Sequence, residues 1–503
     1  MKIQNKVKLT ARWCMYEIPF LVFAFLLSAV STLQLESVAA SAVVEIDPAP
    51  QQNLIARTPT SAQTARAPRS ARDYFNQAMQ RYRNQDRLGA IDYFDRAIQL
   101  QPNFVDAYNN RGIVKGSTGN QSGAIDDYTK AIALSPKSFE AYANRGFARL
   151  STGDKVGAMA DLQAATDIKP SDPQLAVGKG IILAQSGDKQ GAIVNYNKAI
   201  KLQPKSVDAY YNRGLARLDL GDRVGAISDY NTAIKLKPTY ANAYYGRGKA
   251  KGLMGDYQGA IADYDRAIAL KPNHPNAYFN RAIAKIALGD RSGAIGDYSR
   301  IVTANPQDGA ALFNRAVAHA ENGDRSKAIA DYTTAILLGR GSANELNPRL
   351  IEAYNNRGIL LYLTGDRQAA IADYTEALRL NPNYTVAYLN RGMVYYTQRE
   401  YAKAVSDYDR AIAIEPNNSE LYFNRGLNQV QLQNYPQAIA DYDRAIKLEP
   451  TNALAYSNRG LLHAQLDANP AATQDLKMAA KLFQSQNNPA AYESVMRKLA
   501  KIK

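Results

Sequence analysis

The chain has 503 residues, of which 46% are hydrophobic and 21% are charged, and its formal net charge is +15. This composition excludes a wholly disordered chain, since there are enough apolar residues to build a core. The single cysteine excludes a disulfide framework. The excess of positive charge is compatible with nucleic acid, an anionic membrane surface or an acidic protein as partner, and it does not distinguish among them.

Residues 1–42 have the pattern of a secretory signal peptide. Basic residues between Lys2 and Arg12 precede an uncharged, largely apolar run at 18–35, and an A-x-A cleavage site follows at 40–42. We therefore expect export to a periplasmic, lumenal or extracellular space. The alternative is a membrane anchor at 18–35, a run at the short limit for spanning a bilayer. Residues 43–70, rich in Pro, Ser, Thr, Ala and Gln, are predicted to form a disordered linker.

From Ala71 the chain repeats every 34 residues. A proline closes each period except the last, with one step lengthened by eight residues: Pro102, Pro136, Pro170, Pro204, Pro238, Pro272, Pro306, Pro348, Pro382, Pro416 and Pro450. Twelve repeats result, covering 71–484 and starting at 71, 105, 139, 173, 207, 241, 275, 309, 351, 385, 419 and 453. The eight extra residues lie near 338–346, in repeat 8.

Within each repeat we number the positions 1 to 34. Position 4 is usually Tyr, position 8 is Gly or Ala, position 20 is always Ala, position 24 is usually aromatic, and position 27 is almost always Ala. A Gly-Asp pair breaks most repeats at positions 15 and 16. Each repeat is thus predicted to be a helix A, a tight turn and a helix B ended by proline, with small residues that allow the two helices to approach closely. Residues 485–503 are predicted to form a C-terminal capping helix.

These positions resemble the tetratricopeptide repeat, and the resemblance covers residues 71–484. It implies an all-α fold, an α-solenoid of twelve helix-turn-helix repeats stacked into a right-handed superhelix with a concave groove. Stacking supplies the core that one repeat cannot build alone, so the end repeats need polar caps.

Position 7, where the family usually has Leu, is Arg in ten repeats, and position 23 is Asp in the same ten. The two exceptions coincide, with Gln77 and Tyr93 in repeat 1 and Lys179 and Asn195 in repeat 4. We predict structural ion pairs between helices A and B rather than free arginines for anionic ligands. The pairs form within a repeat or between neighbouring repeats. The residues, in chain order, are Arg111, Asp127, Arg145, Asp161, Arg213, Asp229, Arg247, Asp263, Arg281, Asp297, Arg315, Asp331, Arg357, Asp373, Arg391, Asp407, Arg425, Asp441, Arg459 and Asp475.

Further basic residues stand at position 11 of the early repeats and are expected to form a solvated face. They are Arg81, Lys115, Arg149, Arg217, Lys251 and Lys285.

Position 6 is Asn in ten repeats, and the family resemblance implies that it lines the groove and grips the backbone of a bound peptide. An amide suits this task, since it offers both a donor and an acceptor. The alternative is hydrogen bonding within the array. The candidates are Asn76, Asn110, Asn144, Asn212, Asn280, Asn314, Asn356, Asn390, Asn424 and Asn458.

Position 5 is aromatic in four successive repeats, at Tyr211, Tyr245, Phe279 and Phe313. If these rings face solvent, they form an apolar trough of the kind that marks a binding site. The alternative is that they pack against the neighbouring helix.

No catalytic constellation is found in the sequence. The histidines, His274, His319 and His463, are far apart and have no cysteine partners, so neither metal nor cofactor is predicted. The G-x-G in the insertion has no strand before it, which argues against a nucleotide site.

The sequence therefore predicts a non-enzymatic scaffold or adaptor that binds extended peptides or partner proteins in its groove, in assembly or chaperone-like work at the cell envelope. The first alternative is a basic helical-repeat protein that binds RNA. The strict period, the export signal and the paired arginines count against it. The second alternative is self-association of the end repeats.

Overall fold

A computed structural model describes residues 70–340 and 348–502 of the chain. The predicted signal peptide, the linker up to residue 69 and most of the insertion lie outside the described residues. The described residues contain 25 α-helices and no strand, as expected for an all-α array of helix pairs, and that fold class is confirmed. Two compact units are present, one ending at Leu288 and the other beginning at Gly289.

Odd-numbered helices up to α23 are the A helices of the repeats, and even-numbered helices are the B helices. In the first unit, α1 to α13 are Ala71–Arg83, Arg87–Leu100, Val105–Ser117, Gln121–Leu134, Phe139–Ser151, Lys155–Ile168, Pro173–Gln185, Lys189–Leu202, Val207–Asp219, Arg223–Leu236, Ala241–Leu253, Tyr257–Leu270 and Pro275–Ala287. In the second unit, α14 to α25 are Arg291–Ala304, Gly309–Glu321, Arg325–Arg340, Pro348–Leu363, Arg367–Leu380, Thr385–Thr397, Tyr401–Ile414, Ser419–Gln431, Tyr435–Leu448, Ala453–Gln465, Asn469–Ser485 and Pro489–Leu499.

The turn between helices A and B is built by positions 15, 16 and 19. In repeat 3, Gly153 takes a φ of +86°, a left-handed conformation that glycine adopts without steric cost. Asp154 then caps α6, since its carboxylate accepts a hydrogen bond from the backbone N–H of Gly157 at 2.8 Å. The cap fixes where helix B starts in the repeat.

Close approach of the two helices depends on the small residue at position 8. A Cβ added to Gly112 would lie 2.7 Å from a ring carbon of Tyr128, which is shorter than any normal contact. Ala124, at position 20 of the same repeat, is fully buried. The tyrosine ring of helix B therefore lies directly on the backbone of helix A, and this packing recurs at Gly214 and Gly358.

The last described helix, α25, packs against α24. Val495 and Ala491 of α25 join a buried cluster with Leu476, Ala479 and Phe483 of α24. This cluster covers apolar surface that a following repeat would otherwise bury.

Candidate functional site

The position-7 arginines contact the position-23 aspartates of their own repeats. In repeat 2, Nε of Arg111 donates to Asp127 Oδ2 at 2.9 Å and Nη2 donates to Oδ1 at 2.5 Å. This two-point geometry is the strongest form of the pair. The same pair forms in eight further repeats, between Arg145 and Asp161, Arg213 and Asp229, Arg247 and Asp263, Arg315 and Asp331, Arg357 and Asp373, Arg391 and Asp407, Arg425 and Asp441, and Arg459 and Asp475.

A second acceptor, at position 25 of the preceding repeat, completes each arginine site. Nη1 of Arg111 donates to Asp95 Oδ1 at 2.6 Å, and Nη1 of Arg281 donates to Asp265 Oδ1 at 2.5 Å. In the other repeats the acceptor is a hydroxyl, an amide or a carboxylate oxygen, at Thr129, Asn197, Asn231, Ser299, Thr333, Thr375, Asp409 and Asp443. In the nine repeats with both contacts, the guanidinium therefore joins a helix A, its own helix B and the helix B before it.

Repeat 4 keeps this link without the arginine, because Lys179 Nζ donates to Gln163 Oε1 at 2.8 Å. Sequence reasoning missed position 25, although a signal was present. That position holds a side-chain oxygen in repeats 1 to 11 and becomes Lys477 in repeat 12, which has no following repeat.

Position 11 supplies a second cation to the same aspartates in the first unit. Lys115 Nζ lies 2.9 Å from Asp127 Oδ2, and Arg149 Nη1 lies 2.8 Å from Asp161 Oδ2. Equivalent contacts join Arg217 to Asp229 at 2.9 Å and Lys251 to Asp263 at 2.8 Å. The prediction that position 11 forms a solvated face is therefore wrong for these four side chains, since helix B brings the carboxylate within their reach.

The electrostatics of these sites favour charged arginines. Burial lowers the pKa of Arg111, but hydrogen bonds from its guanidinium to Asp127 and Asp95 more than offset burial and hold that pKa above its usual value. Guanidinium groups bound in this way are not offered to phosphate or carboxylate ligands.

Most position-6 asparagines use their amide nitrogen inside the array. Three donate to the position-5 side chain of the preceding repeat: Asn144 to Asn109 at 3.1 Å, Asn280 to Tyr245 at 2.9 Å and Asn390 to Asn355 at 2.9 Å. Three donate to a carbonyl one turn earlier in their own helix, at 2.8 Å: Asn110 to Asp106, Asn212 to Asp208 and Asn314 to Ala310. Asn356 donates to the Tyr332 hydroxyl at 3.4 Å.

The idea of an amide presented to a ligand at every repeat is therefore corrected. An amide whose donor already has a good acceptor gains little by exchanging it for a peptide. Of the remaining three, Asn76 is exposed and Asn458 is half-buried, whereas Asn424 is buried.

The A helices of repeats 10 and 11 hold three buried amide atoms without a partner in the part of the array that the structure describes. Nδ2 of Asn424 and Oδ1 of Asn390 are buried and have no hydrogen-bond partner among the described residues, and the same is true of Oδ1 of Asn428. These three atoms are polar groups of the A helices that the described part of the array leaves unsatisfied, and such groups call for a partner.

The four aromatic residues at position 5 do not form an open trough. Tyr211 is only 3% exposed and packs on Tyr230 and Tyr240, with ring centroids 6.0 and 5.1 Å away. Phe313 is 4% exposed and packs on Tyr332 at 5.5 Å. The trough is therefore ruled out for these two rings, because helix B reaches over them.

Tyr245 and Phe279 are half-buried. The Tyr245 ring packs on Tyr264 at 6.0 Å and on His274 at 4.8 Å. Its hydroxyl accepts the hydrogen bond from Asn280, so this residue also serves the array.

Two of the three histidines, His274 and His319, have local roles. His274 caps α13 by accepting a hydrogen bond from the N–H of Ala277 at its Nδ1, and His319 lies 3.3 Å from Asp324. In the described part of the chain, no group of His, Cys, Asp and Glu side chains is arranged to hold a metal ion. Among the described helices, none combines the length and apolar character needed to cross a membrane.

Protein-family models match the chain along most of its repeats. Residues 116–153, 180–221, 218–255, 253–289 and 429–467 match a model described as TPR repeat. Residues 351–384, 385–418 and 279–345 match models described as tetratricopeptide repeat. The matched ranges together cover more than half of the chain.

Several solved structures are similar to parts of the chain. A tetratricopeptide repeat protein from Parabacteroides merdae is 22% identical, with 51% of this chain and 99% of that chain covered and a TM-score of 0.37. The APC/C hetero-tetramer Cut9-Hcn1 is 14% identical, with 85% of this chain and 96% of that chain covered and a TM-score of 0.40. Yeast Tom70 is 19% identical, with 85% of this chain and 95% of that chain covered and a TM-score of 0.34. A comparison with curated proteins found no match.

The family assignment combines the family-model matches with the geometry. The 34-residue period, the paired helices and the small residues at positions 8, 20 and 27 are those of one repeat type. The chain belongs to the tetratricopeptide repeat family.

Proposed function

We propose that this protein is a non-catalytic scaffold that binds extended segments of partner proteins along its A helices. The observation that supports this most is the array itself, since tetratricopeptide repeats stack helix pairs along most of the chain and arrays of this family bind protein segments along their A helices. An extended peptide carries unpaired N–H and C=O groups, which polar side chains on that face can bind.

A non-catalytic role fits the distribution of charged side chains. Aspartates at position 23 are held by arginines, and the described residues offer no metal cluster. The paired guanidinium groups also argue against RNA binding, since phosphate recognition needs accessible cations.

We further propose that the protein works outside the cytoplasm, in assembly or chaperone-like work at the cell envelope. The sequence of residues 1–42 supports this through its basic, apolar and small-residue regions. A membrane anchor at 18–35 is the alternative. Edman sequencing of the exported protein distinguishes the two, because cleavage leaves a new N-terminus near residue 43.

Selection of peptides from a random phage-displayed library by the full chain tests the scaffold function. The key variant is Asn76→Leu, which replaces a position-6 amide that is exposed to solvent. Replacement of an exposed polar side chain changes stability little. We expect binding of the selected peptides to fall about tenfold, as loss of one good hydrogen bond predicts.

Asn212→Leu is the matched control, since the amide of Asn212 already donates to the Asp208 carbonyl in its own helix. Peptide affinity should be unchanged in this variant. A library from which no peptide is enriched by the full chain would contradict the proposed function.

A further inference from the structure

Repeat 4 departs from the repeat pattern at three positions whose side chains lie together elsewhere in the array. Position 4 is Ala176 instead of Tyr, position 7 is Lys179 instead of Arg, and position 23 is Asn195 instead of Asp. In repeat 2 the guanidinium of Arg111 lies 5.5 Å from the centre of the position-4 ring and donates to the position-23 carboxylate. Repeat 4 therefore keeps a cation at position 7 but lacks both the ring and the carboxylate that accompany it in repeat 2.

A recess is present at this place in repeat 4. Its volume is about 230 Å³, including the solvent at its mouth, and its lining includes Ala176, Lys179, Asn195 and Lys198. The methyl group of Ala176 leaves open the space that a position-4 tyrosine ring would fill. Lys179 is half-buried and Lys198 is exposed, so a ligand can reach both side chains from solvent.

The positive charge of the recess has little compensation from the array. Lys179 Nζ donates to the neutral amide oxygen of Gln163 at 2.8 Å, and among the described residues neither Lys179 nor Lys198 forms an ion pair. The pKa of Lys179 lies below its usual value, because burial and the nearby charge of Lys198 together outweigh the attraction of Asp167. An additional negative charge in the recess would therefore stabilise the charged form of Lys179.

Asp172 also lines the recess, but its carboxylate is bound elsewhere. It accepts a hydrogen bond from the backbone N–H of Gln174 at 2.9 Å, and Lys169 Nζ lies 3.1 Å from its other oxygen. This carboxylate is thus used in capping α7 and in a pair with Lys169, and it does not replace the missing position-23 aspartate.

Repeat 1 shows that the array can lose the position-7 pair without keeping a cation. There Gln77 replaces the arginine where Tyr93 replaces the aspartate, so neither charge of the pair is present. In repeat 4 the aspartate is replaced by a neutral residue, whereas position 7 keeps its positive charge. The unpaired charge is therefore a specific feature of repeat 4.

We propose that the recess of repeat 4 binds a carboxylate group of a ligand, which takes the part that the position-23 aspartate has in other repeats. Lys179 and Lys198 receive the negative charge, and the space beside Ala176 admits the carbon chain that carries it. Either an acidic side chain of a bound segment or a small free carboxylate supplies this group. The inference goes beyond the proposed scaffold function, because a free carboxylate satisfies it without any peptide.

Two matched peptides with an uncharged fluorophore and a central Glu or Gln test the first source. Fluorescence anisotropy with the full chain at low salt should give an affinity for the Glu peptide about tenfold above that for the Gln peptide. Lys179→Gln should remove this preference. Lys130→Gln is the matched control, since it removes the same charge from an exposed side chain at the position of Lys198 in repeat 2, where the arginine is paired, and it should keep the preference.

Saturation-transfer difference NMR with succinate tests the second source, with the neutral succinamide as its control. A succinate signal that is present in the full chain and lost in Lys179→Gln identifies a small carboxylate as a ligand of the recess. A preference for the Glu peptide without such a signal identifies an acidic side chain instead. Either result supports the carboxylate site.

Two further variants close the recess without removing a cation. Asn195→Asp restores the internal carboxylate and Ala176→Tyr restores the ring, and most other repeats have these residues at the same positions. Each variant should weaken carboxylate binding by several-fold while circular dichroism shows an unchanged helical content.

The site would be overturned by equal affinities for the two peptides together with no succinate signal that depends on Lys179. A preference that Lys130→Gln lowers as much as Lys179→Gln, or unchanged binding in Asn195→Asp, would also overturn it, because binding would then reflect the overall positive charge. The phage selection does not depend on central charge. Enriched peptides that bind equally with Glu or Gln would leave the scaffold function standing.

Discussion

The two units of the array use the same arginine and aspartate in different charge environments. In repeats 2, 3, 5 and 6, each position-23 aspartate contacts an arginine from position 7 and a second cation from position 11. In repeats 9 to 12 the second cation is replaced by Leu361, Tyr395, Gln429 and His463. The position-7 pair is thus shared by both units, while its reinforcement belongs to the first.

This difference shows that a charge pair depends on what else faces the carboxylate. In the second unit, burial raises the pKa of Asp441 above its usual value, and the hydrogen bond from Arg425 offsets burial only in part. We therefore expect these four repeats of the first unit to tolerate loss of one cation, because another remains, and repeats 9 to 12 not to tolerate it. The following predictions test this comparison.

The largest expected effect comes from a feature that both units share. Burial raises the pKa of four position-24 tyrosines in the first unit and four in the second: Tyr128, Tyr196, Tyr230, Tyr264, Tyr298, Tyr332, Tyr374 and Tyr408. A raised folded-state pKa means that stability is fully present below the unfolded pKa of about 10 and is lost as pH rises above it. Each tyrosine should cost roughly 1.4 kcal/mol per pH unit in that range.

Circular dichroism at 222 nm during an alkaline titration measures this loss. The double variant Tyr374→Phe with Tyr408→Phe is the control, since Phe94 holds position 24 in repeat 1. The variant should keep its helical signal to higher pH. If the parent chain and the variant unfold at the same pH, the buried hydroxyls do not govern alkaline unfolding.

The next largest effect should separate the units. Arg391→Met leaves Asp407 buried without a cation and should cost about 3–5 kcal/mol of local stability. Arg145→Met leaves Asp161 still bound to Arg149 at 2.8 Å, so we expect a loss of only about 1–2 kcal/mol.

Hydrogen exchange with mass spectrometry, read repeat by repeat, is the suitable measurement, because repeat arrays do not unfold in a single step. Adding Asp407→Leu to Arg391→Met should restore most of the loss, as the buried charge is then removed. Equal losses in Arg391→Met and Arg145→Met would show that position 11 gives no reinforcement.

The smallest effect comes from moving the first unit's arrangement into the second. Gln429→Lys places a cation at position 11 of repeat 11, within the reach that Lys251 has toward Asp263 at 2.8 Å. The new cation should lower the pKa of Asp441 and add roughly 1 kcal/mol of stability at low salt. Gln429→Met is the uncharged control. Equal exchange rates in the two variants at low salt would argue against the second-cation interpretation.

The sequence was sufficient to predict the helix pairs, because small and aromatic positions recur with the period of the repeat. It also predicted that position 7 pairs with position 23, since the two exceptional repeats coincide. It did not predict Asp95 as a partner of Arg111, because position 25 varies in residue type and conserves only an oxygen atom. Spacing tells which residues share a helix face, but not which neighbouring helix that face meets.

Spacing alone also could not predict the environments of the side chains at positions 5 and 6. Tyr211 and Asn424 stand one position apart in the repeat scheme, yet the structure buries the ring of the first under two aromatic neighbours and leaves the amide of the second unsatisfied. Whether a position-6 amide bonds to the preceding repeat depends on the residue 35 positions earlier, as in the bond from Asn144 to Asn109. Reading each repeat alone hides that dependence.

The three-way contact of each arginine has a consequence for how such a chain can change in length. Each internal repeat accepts a hydrogen bond from the next repeat at position 25 and donates one from position 7 to the repeat before it. Duplication or deletion of an internal repeat would therefore leave matching groups on both sides. The first and last repeats lack these groups: repeat 1 has Gln77 in place of the arginine, and repeat 12 has Lys477 in place of the acceptor oxygen. Duplication of an internal repeat would therefore preserve these contacts. Duplication of repeat 1 or repeat 12 would not.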